Sequence, residues 1–228
     1  MFIIADRSIP EEALASLSGH GEVLPFSTHG ITYPAISGHP DIFFCPVPGD
    51  LVVAPGLGSG IMHKLEEHHI RYVMGKKTPG SRYPASASYN AVVTERHLIH
   101  NLESTDEVIL DRTGTLKPIH VRQGYTRCNL LPLKNEQYIT SDKGIYQTML
   151  QHRLEVLYVD PGEIILEGFP HGFFGGCCGI SGDNVFITGS LEYLEGGQEV
   201  SACLKRLGYR VVELYDGPLV DGGSLIFL

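Results

Sequence analysis

A mixed α/β ring built from five ββαβ units is the fold this sequence predicts. Three observations predict it. Short apolar segments of strand length alternate with single helical stretches, the pattern returns at roughly 40 to 48 residues, and the one incomplete copy is split between the two ends of the chain. Of the 228 residues, 43% are hydrophobic and 19% charged, a balance that supports a buried core and excludes disorder.

The first complete unit begins at IFFCPVPGDLVVAP (42–55), two apolar strands about a Pro-Gly-Asp turn; GSGIMHKLEEHH (58–69) follows as a helix and IRYVMG (70–75) as the third strand. The second is SYNAVVTERHLIHN (88–101), STDEVILDRTG (104–114) and LKPIHVRQGY (116–125), and the third is CNLLPLKNEQYITSD (128–142), KGIYQTMLQHR (143–153) and LEVLYVD (154–160). In the fourth, GGCCGISGDNVFITGS (175–190) carries a Gly-Asp-Asn hairpin turn, with GGQEVSACLKRLG (196–208) as helix and YRVVELYD (209–216) as third strand. The fifth needs both termini: GGSLIFL (222–228) supplies a first strand, and MFIIAD (1–6), PEEALASLSGHG (10–21) and EVLPFS (22–27) supply the rest. Joining the ends removes an unpaired sheet edge, so the expectation is one domain over 1–228, a five-bladed β/α-propeller closed by N- and C-terminal strands.

Charge and motifs exclude several functions. A net charge of −9 disfavours a nucleic-acid face. The one basic cluster, MGKKTPGSR (74–82), reads as a solvated loop. MFIIADRS is too short for a signal peptide and no apolar run spans a bilayer, so no membrane partner is expected. Five cysteines without a disulfide framework suit free thiols and a cytoplasmic protein. GLGSG (56–60) lacks both phosphate-loop spacings, and His63 and Glu67 in HKLEEHH form no HExxH motif. Adjacent Cys177 and Cys178 lack the spacing of a structural zinc site, so no metal and no cofactor are expected.

RYPASASYNAVV (82–93), VRQGYTRCNLL (121–131), GFFGG (172–176) and GPLVDGGS (217–224) together resemble the pentein, or guanidino-group-modifying-enzyme, fold, and an uncharacterised bacterial protein family within it. The resemblance covers essentially the whole chain and implies a central pocket lined by the first strands of successive units. In enzymes of this kind a cysteine thiolate attacks a guanidinium carbon, a histidine handles the proton, and carboxylates clamp the cationic nitrogens. The resemblance places that cysteine in a late Gly-Gly segment, where this chain reads Gly222, Gly223, Ser224, Leu225, Ile226, Phe227; Phe227 stands at the thiol position.

Cys45, Cys128 and Cys178 all fall in or near first strands, and Cys203 falls in a helix. The catalytic candidates are therefore Cys178, behind Gly175 and Gly176, Cys128, beside Gln123 and Tyr125, and His171; core packing is the alternative for each cysteine. The candidate ligand-binding residues are Asn90, Asp221, Glu167 and Asp142, although Asp142 also stands where a helix cap belongs. Two functions follow. One is a binding protein for a small polar, guanidino-type ligand that has lost the C-terminal nucleophile; the other is a hydrolase- or amidinotransferase-like enzyme working through Cys178 or Cys128. The oligomeric state is not legible.

Overall fold

The computed structural model describes all 228 residues, Met1–Leu228. Its fifteen strands form five separate three-stranded sheets. β3 (Phe44–Val47) pairs antiparallel with β4 (Asp50–Val53), which pairs parallel with β5 (Tyr72–Met74) after helix α2 (Ser59–Glu67). The same order returns in β6 (Val92–Val93), β7 (His97–His100), α3 (Glu107–Arg112) and β8 (Lys117–His120). It returns in β9 (Leu130–Leu133), β10 (Gln137–Thr140), α5 (Lys143–Gln151) and β11 (Glu155–Tyr158), and in β12 (Cys178–Ser181), β13 (Asn184–Ile187), α6 (Gly197–Arg206) and β14 (Arg210–Glu213). In the fifth sheet β1 (Phe2–Asp6) lies between β2 (Glu22–Phe26), reached through α1 (Glu11–Ser18), and the C-terminal β15 (Ile226–Phe227). Ile3 faces Phe227 and Ile4 faces Ile226 across that antiparallel pair. No helix is long and apolar enough to cross a membrane.

Local chemistry accounts for these elements. The β3–β4 hairpin turns on Pro48 and Gly49, with Gly49 at φ 81°, a conformation that a residue with a Cβ resists. Helices pack through residues one turn apart: Ala13 and Leu17 on α1, Ile145 and Met149 on α5, Val200 and Leu204 on α6. Asp106 caps α3 by accepting from the Val108 N–H at 2.9 Å. The same carboxylate accepts from the backbone N–H groups of Lys76 and Lys77, and Lys77 Nζ donates to the Ser104 and Thr105 carbonyls. The basic cluster is therefore tied down at Lys77 rather than free in solvent.

A further element precedes the first strand in four units. Pro40–Ile42, Ala85–Ala87 and Gly175–Cys177 each make a short 3-10 turn, and α4 (Thr126–Asn129) makes one helical turn. Pro40–Ile42 and Gly175–Cys177 meet the segment Asp221–Ser224 ahead of β15, α4 joins them through Cys128 and Asp41, and Ala85–Ala87 meets Tyr125 beside α4 through Ser86; together they carry the site. Beyond them, residues of all five first strands, among them Phe44, Val93, Pro132, Ile180 and Phe227, line one groove of about 570 Å³.

Candidate functional site

Cys128 lies at the middle of the converging turns, 3% exposed. Its thiol donates to Asp41 Oδ2 at 3.0 Å and accepts from Asn90 Nδ2 at 3.2 Å. Asn90, fully buried, joins three units: its Oδ1 accepts from the backbone N–H groups of Arg127 (2.7 Å) and Cys128 (3.1 Å), and its Nδ2 also points at the Asp41 carbonyl (3.3 Å). Ser224, two residues ahead of β15, donates to Asp41 Oδ2 at 2.8 Å. Asp41 thus receives hydrogen bonds from three units other than its own, two of them at its carboxylate.

His39 stands two residues before Asp41 and is equally buried. Its Nε2 is 3.9 Å from Asp6 and its Nδ1 is 4.0 Å from Asp221. Asp221 accepts from the Phe173 N–H (2.9 Å) and the Gly223 N–H (3.0 Å). Gly176 makes room for it, since a Cβ there would fall on the Asp221 carboxylate, and Gly223, at φ 66°, makes room for His39 in the same way.

Burial sets the protonation states. Desolvation pushes Asp221 up to about 8, reinforced by the nearby Asp41 and Asp6 and opposed by its two backbone N–H donors. Desolvation raises Asp41 as well, against the donors Cys128 and Ser224. It lowers His39 to about 3, so the imidazole is neutral, and with the Asp41 and Asp221 carboxylates it holds the Cys128 thiol well above its ordinary range. At neutral pH His39 is therefore neutral, Asp221 is largely protonated and Cys128 carries its proton.

His39, Cys128 and Asp221 line a small, partly open pocket of about 90 Å³ whose other walls include Tyr33, Tyr125, Phe169, Phe173 and His171. The Tyr33 hydroxyl donates to Tyr125 Oη at 3.2 Å, Ser86 and Tyr125 share a hydrogen bond of 2.6 Å, and the Phe169 ring leans on Tyr33 at 5.7 Å. His171 is half-buried at the rim, with Nδ1 2.9 Å from the Gly172 carbonyl oxygen.

Of the residues singled out in the sequence, Cys128, Asp221 and His171 meet at this pocket, with Asn90 directly behind Cys128. Cys178 does not reach it: the residue begins β12 inside an apolar cluster with Phe174, Val185 and Leu219, and burial lifts its thiol to about 12. Cys177 belongs to the same cluster because Gly175–Cys177 is a turn, not a strand, which cancels the opposite facing expected of neighbours. Glu167 is exposed, and its neighbours Leu166 and Phe169 fill the pocket wall instead. Asp142 caps α5, accepting from Ile145 N–H at 2.7 Å. Cys45 is buried against the Ala91 carbonyl. The sequence reading missed His39 and Asp41 in GHPDIFF. The available signal was position, because HPD precedes its first strand as YTRC and VDGGS precede theirs. His39, Asp41 and Cys128 are also the three side chains whose donor atoms are close enough together to hold a metal ion.

Solved structures similar to this chain include enzymes of the pentein fold. Dimethylarginine dimethylaminohydrolase from Pseudomonas aeruginosa, complexed with citrulline, superposes with a TM-score of 0.54 at 13% identity, covering 93% of this chain and 91% of that one. C. jejuni agmatine deiminase gives 0.58 at 8% identity (93% and 87% covered), and an amidinotransferase of the saxitoxin pathway from Microseira wollei gives 0.53 at 9% (93% and 87%). At such identities the likeness defines the fold: this is a pentein-fold protein. No curated protein sequence matches it. Within that fold the chain belongs to DUF6873, a family of unknown function, which it matches over residues 4–226.

Proposed function

We propose that the chain closes as a single five-bladed β/α-propeller over 1–228 and serves as a cytoplasmic small-molecule binding protein whose central pocket takes a small polar cation of the guanidino type. The groove lined by all five first strands supports the ring, and five free cysteines support the compartment. The observation that carries the binding role is the state of the only pocket cysteine: Cys128 is a thiol donating to Asp41, not a thiolate, while Phe227 stands at the C-terminal position and packs on Phe186 with ring centroids 4.7 Å apart. Asp221 supplies the one carboxyl group of the pocket lining, which gives up its proton as a cation binds beside it, and four aromatic rings supply the walls, a combination suited to a delocalised cation. About 90 Å³ is room for roughly three water-sized groups, so the pocket takes the head of such a ligand and leaves its tail outside.

A panel of guanidinium, methylguanidine, agmatine and arginine tests this by calorimetry and by ammonia and urea release. With a single carboxylate the expected affinity is millimolar, about −4 kcal/mol, without turnover, and lost in Asp221→Asn. Binding indifferent to Asp221 would overturn the site. A second reading, catalysis through Cys128, is favoured by the neutral His39 imidazole beside its sulfur; product formation abolished in Cys128→Ala would establish it in place of binding. Catalysis through Cys178 would require that residue to leave the apolar cluster.

A further inference from the structure

Four buried side-chain nitrogen or oxygen atoms have no hydrogen-bond partner, and three of them belong to two neighbours: His39 Nδ1, His39 Nε2 and Asp41 Oδ1. The fourth, His68 Nε2, lies 3.2 Å from Glu22 at the surface. A neutral imidazole carries one N–H and one lone pair in either tautomer. Leaving both buried and unused forfeits the hydrogen bonds each made to water in the unfolded chain, which a folded protein rarely bears without a purpose. The nearest carboxylate oxygens, of Asp6 and Asp221, stand 3.9 and 4.0 Å from the two ring nitrogens, beyond hydrogen-bond range.

We propose that His39, Asp41 and Cys128 form a binding site for one divalent transition-metal ion of the zinc type. Their donor atoms, one nitrogen, one oxygen and one sulfur, all lie within 4.8 Å of one another, and all three residues are buried. Zinc takes such ligands at about 2.0–2.3 Å, a set of three being the number that leaves one position for another ligand. Charge favours the same conclusion. An ionised Asp41 and a Cys128 thiolate carry two negative charges, which balance a divalent cation and give a neutral buried complex. The surroundings are those of a ligand-orienting shell: Ser224 donates to Asp41, Asn90 donates to the Cys128 sulfur, and Asp6 and Asp221 flank the two nitrogens of His39, ready to accept whichever N–H the metal leaves free. Because His39 and Cys128 also line the central pocket, the remaining position opens on it. An oxygen- or nitrogen-donor molecule entering there would meet the ion. The absence of metal expected from the sequence rested on short-spacing motifs, at Cys177 and Cys178 and at His63 and Glu67, residues which take no part. This site joins residues 87 apart in sequence, a separation that no short-spacing motif describes.

The inference goes beyond the guanidino reading and does not depend on it. Chelator-stripped full-length protein is titrated with cobalt(II) and then zinc, following the near-ultraviolet sulfur-to-cobalt charge-transfer band, with elemental analysis after gel filtration. The expected result is one ion per chain and a charge-transfer band displaced by zinc. The band should vanish in Cys128→Ser and persist in Cys178→Ser, with at least tenfold weaker binding in His39→Gln and Asp41→Asn, each checked as folded by circular dichroism. X-ray absorption of the unmutated cobalt protein gives a readout that needs no variant: one sulfur and one imidazole in the first shell support the site. Substoichiometric metal, a band that survives Cys128→Ser, or a shell without sulfur would overturn it.

Discussion

Asn90 is the residue whose loss should be felt most sharply for its size. Replacing it with alanine removes the acceptor of the Cys128 N–H and one of two acceptors of the Arg127 N–H, which keeps the Asn90 carbonyl at 3.0 Å. It also removes the donor to the Asp41 carbonyl and to the Cys128 sulfur. One buried N–H left unpaired costs about 1–3 kcal/mol, and the lost weaker bonds cost about 0.5–1.5 kcal/mol each. The sum is about 3 kcal/mol, and a chain of this length shifts its Tm by about 2–4 °C per kcal/mol, so Asn90→Ala should melt about 6–12 °C lower. Urea unfolding with an unchanged m-value should return the same free energy. Asn90→Asp separates the two halves of the amide. It keeps an acceptor for both N–H groups but buries a carboxyl beside Asp41, so it should be less stable than wild type and lose further stability as pH rises and that carboxyl is forced to ionise. An Asn90→Ala protein within about 2 °C of wild type would refute the view that this amide stitches the three units together.

Asp221, held at about 8 in the folded state against an ordinary carboxylate value of about 3.9 when unfolded, contributes stability that is fully present below about pH 4 and is lost as pH rises through about 8. Urea midpoints should therefore fall between about pH 5 and 8 in wild type and flatten in Asp221→Asn; equal slopes would contradict this protonation state. Deleting Ser224–Leu228 removes β15 and the Ser224 bond to Asp41, and should abolish cooperative unfolding; a truncated chain that melts like the full one would show that β15 is dispensable. All five cysteines are buried and unpaired. In metal-free protein at neutral pH, iodoacetamide should modify none of them until urea unfolds the chain, whereas rapid labelling of Cys128 alone would mean that the thiol is activated after all.

The repeat was legible because the units share one grammar of two apolar strands, then one helix, then a strand, with a Gly- or Asn-containing turn between the first two strands in three of the five, even where Phe2–Asp6 and Ile226–Phe227 had to be joined across the termini. The site was half legible, and the reason is geometric. Alternation predicts which face of a strand a residue occupies, but Cys128 and Asp41 lie in helical turns just before their strands, where period two does not apply. Cys178 invited attention through its glycines, yet Gly175 is there because the Arg127 and Cys128 backbone packs against it and Gly176 because Asp221 does, so neither opens a path to the sulfur. His39 and Asp41 sit in a segment with no strand or helix pattern of its own. Only superposing the five units would have set HPD against YTRC and VDGGS.

The pairing of β1 with β15 has a consequence for how the protein is made. A ribosome makes Phe2–Asp6 well before Ile226–Phe227, and at about 5–20 residues per second the intervening chain keeps the earlier strand waiting for roughly 10–45 seconds. Throughout synthesis the outer edge of β1 stays open, and Asp41 lacks the Ser224 hydroxyl that completes its contacts. Folding of the fifth sheet must therefore await synthesis of Ile226–Phe227, and until then the nascent protein offers chaperones, or a second nascent copy, an apolar strand edge that the finished molecule hides.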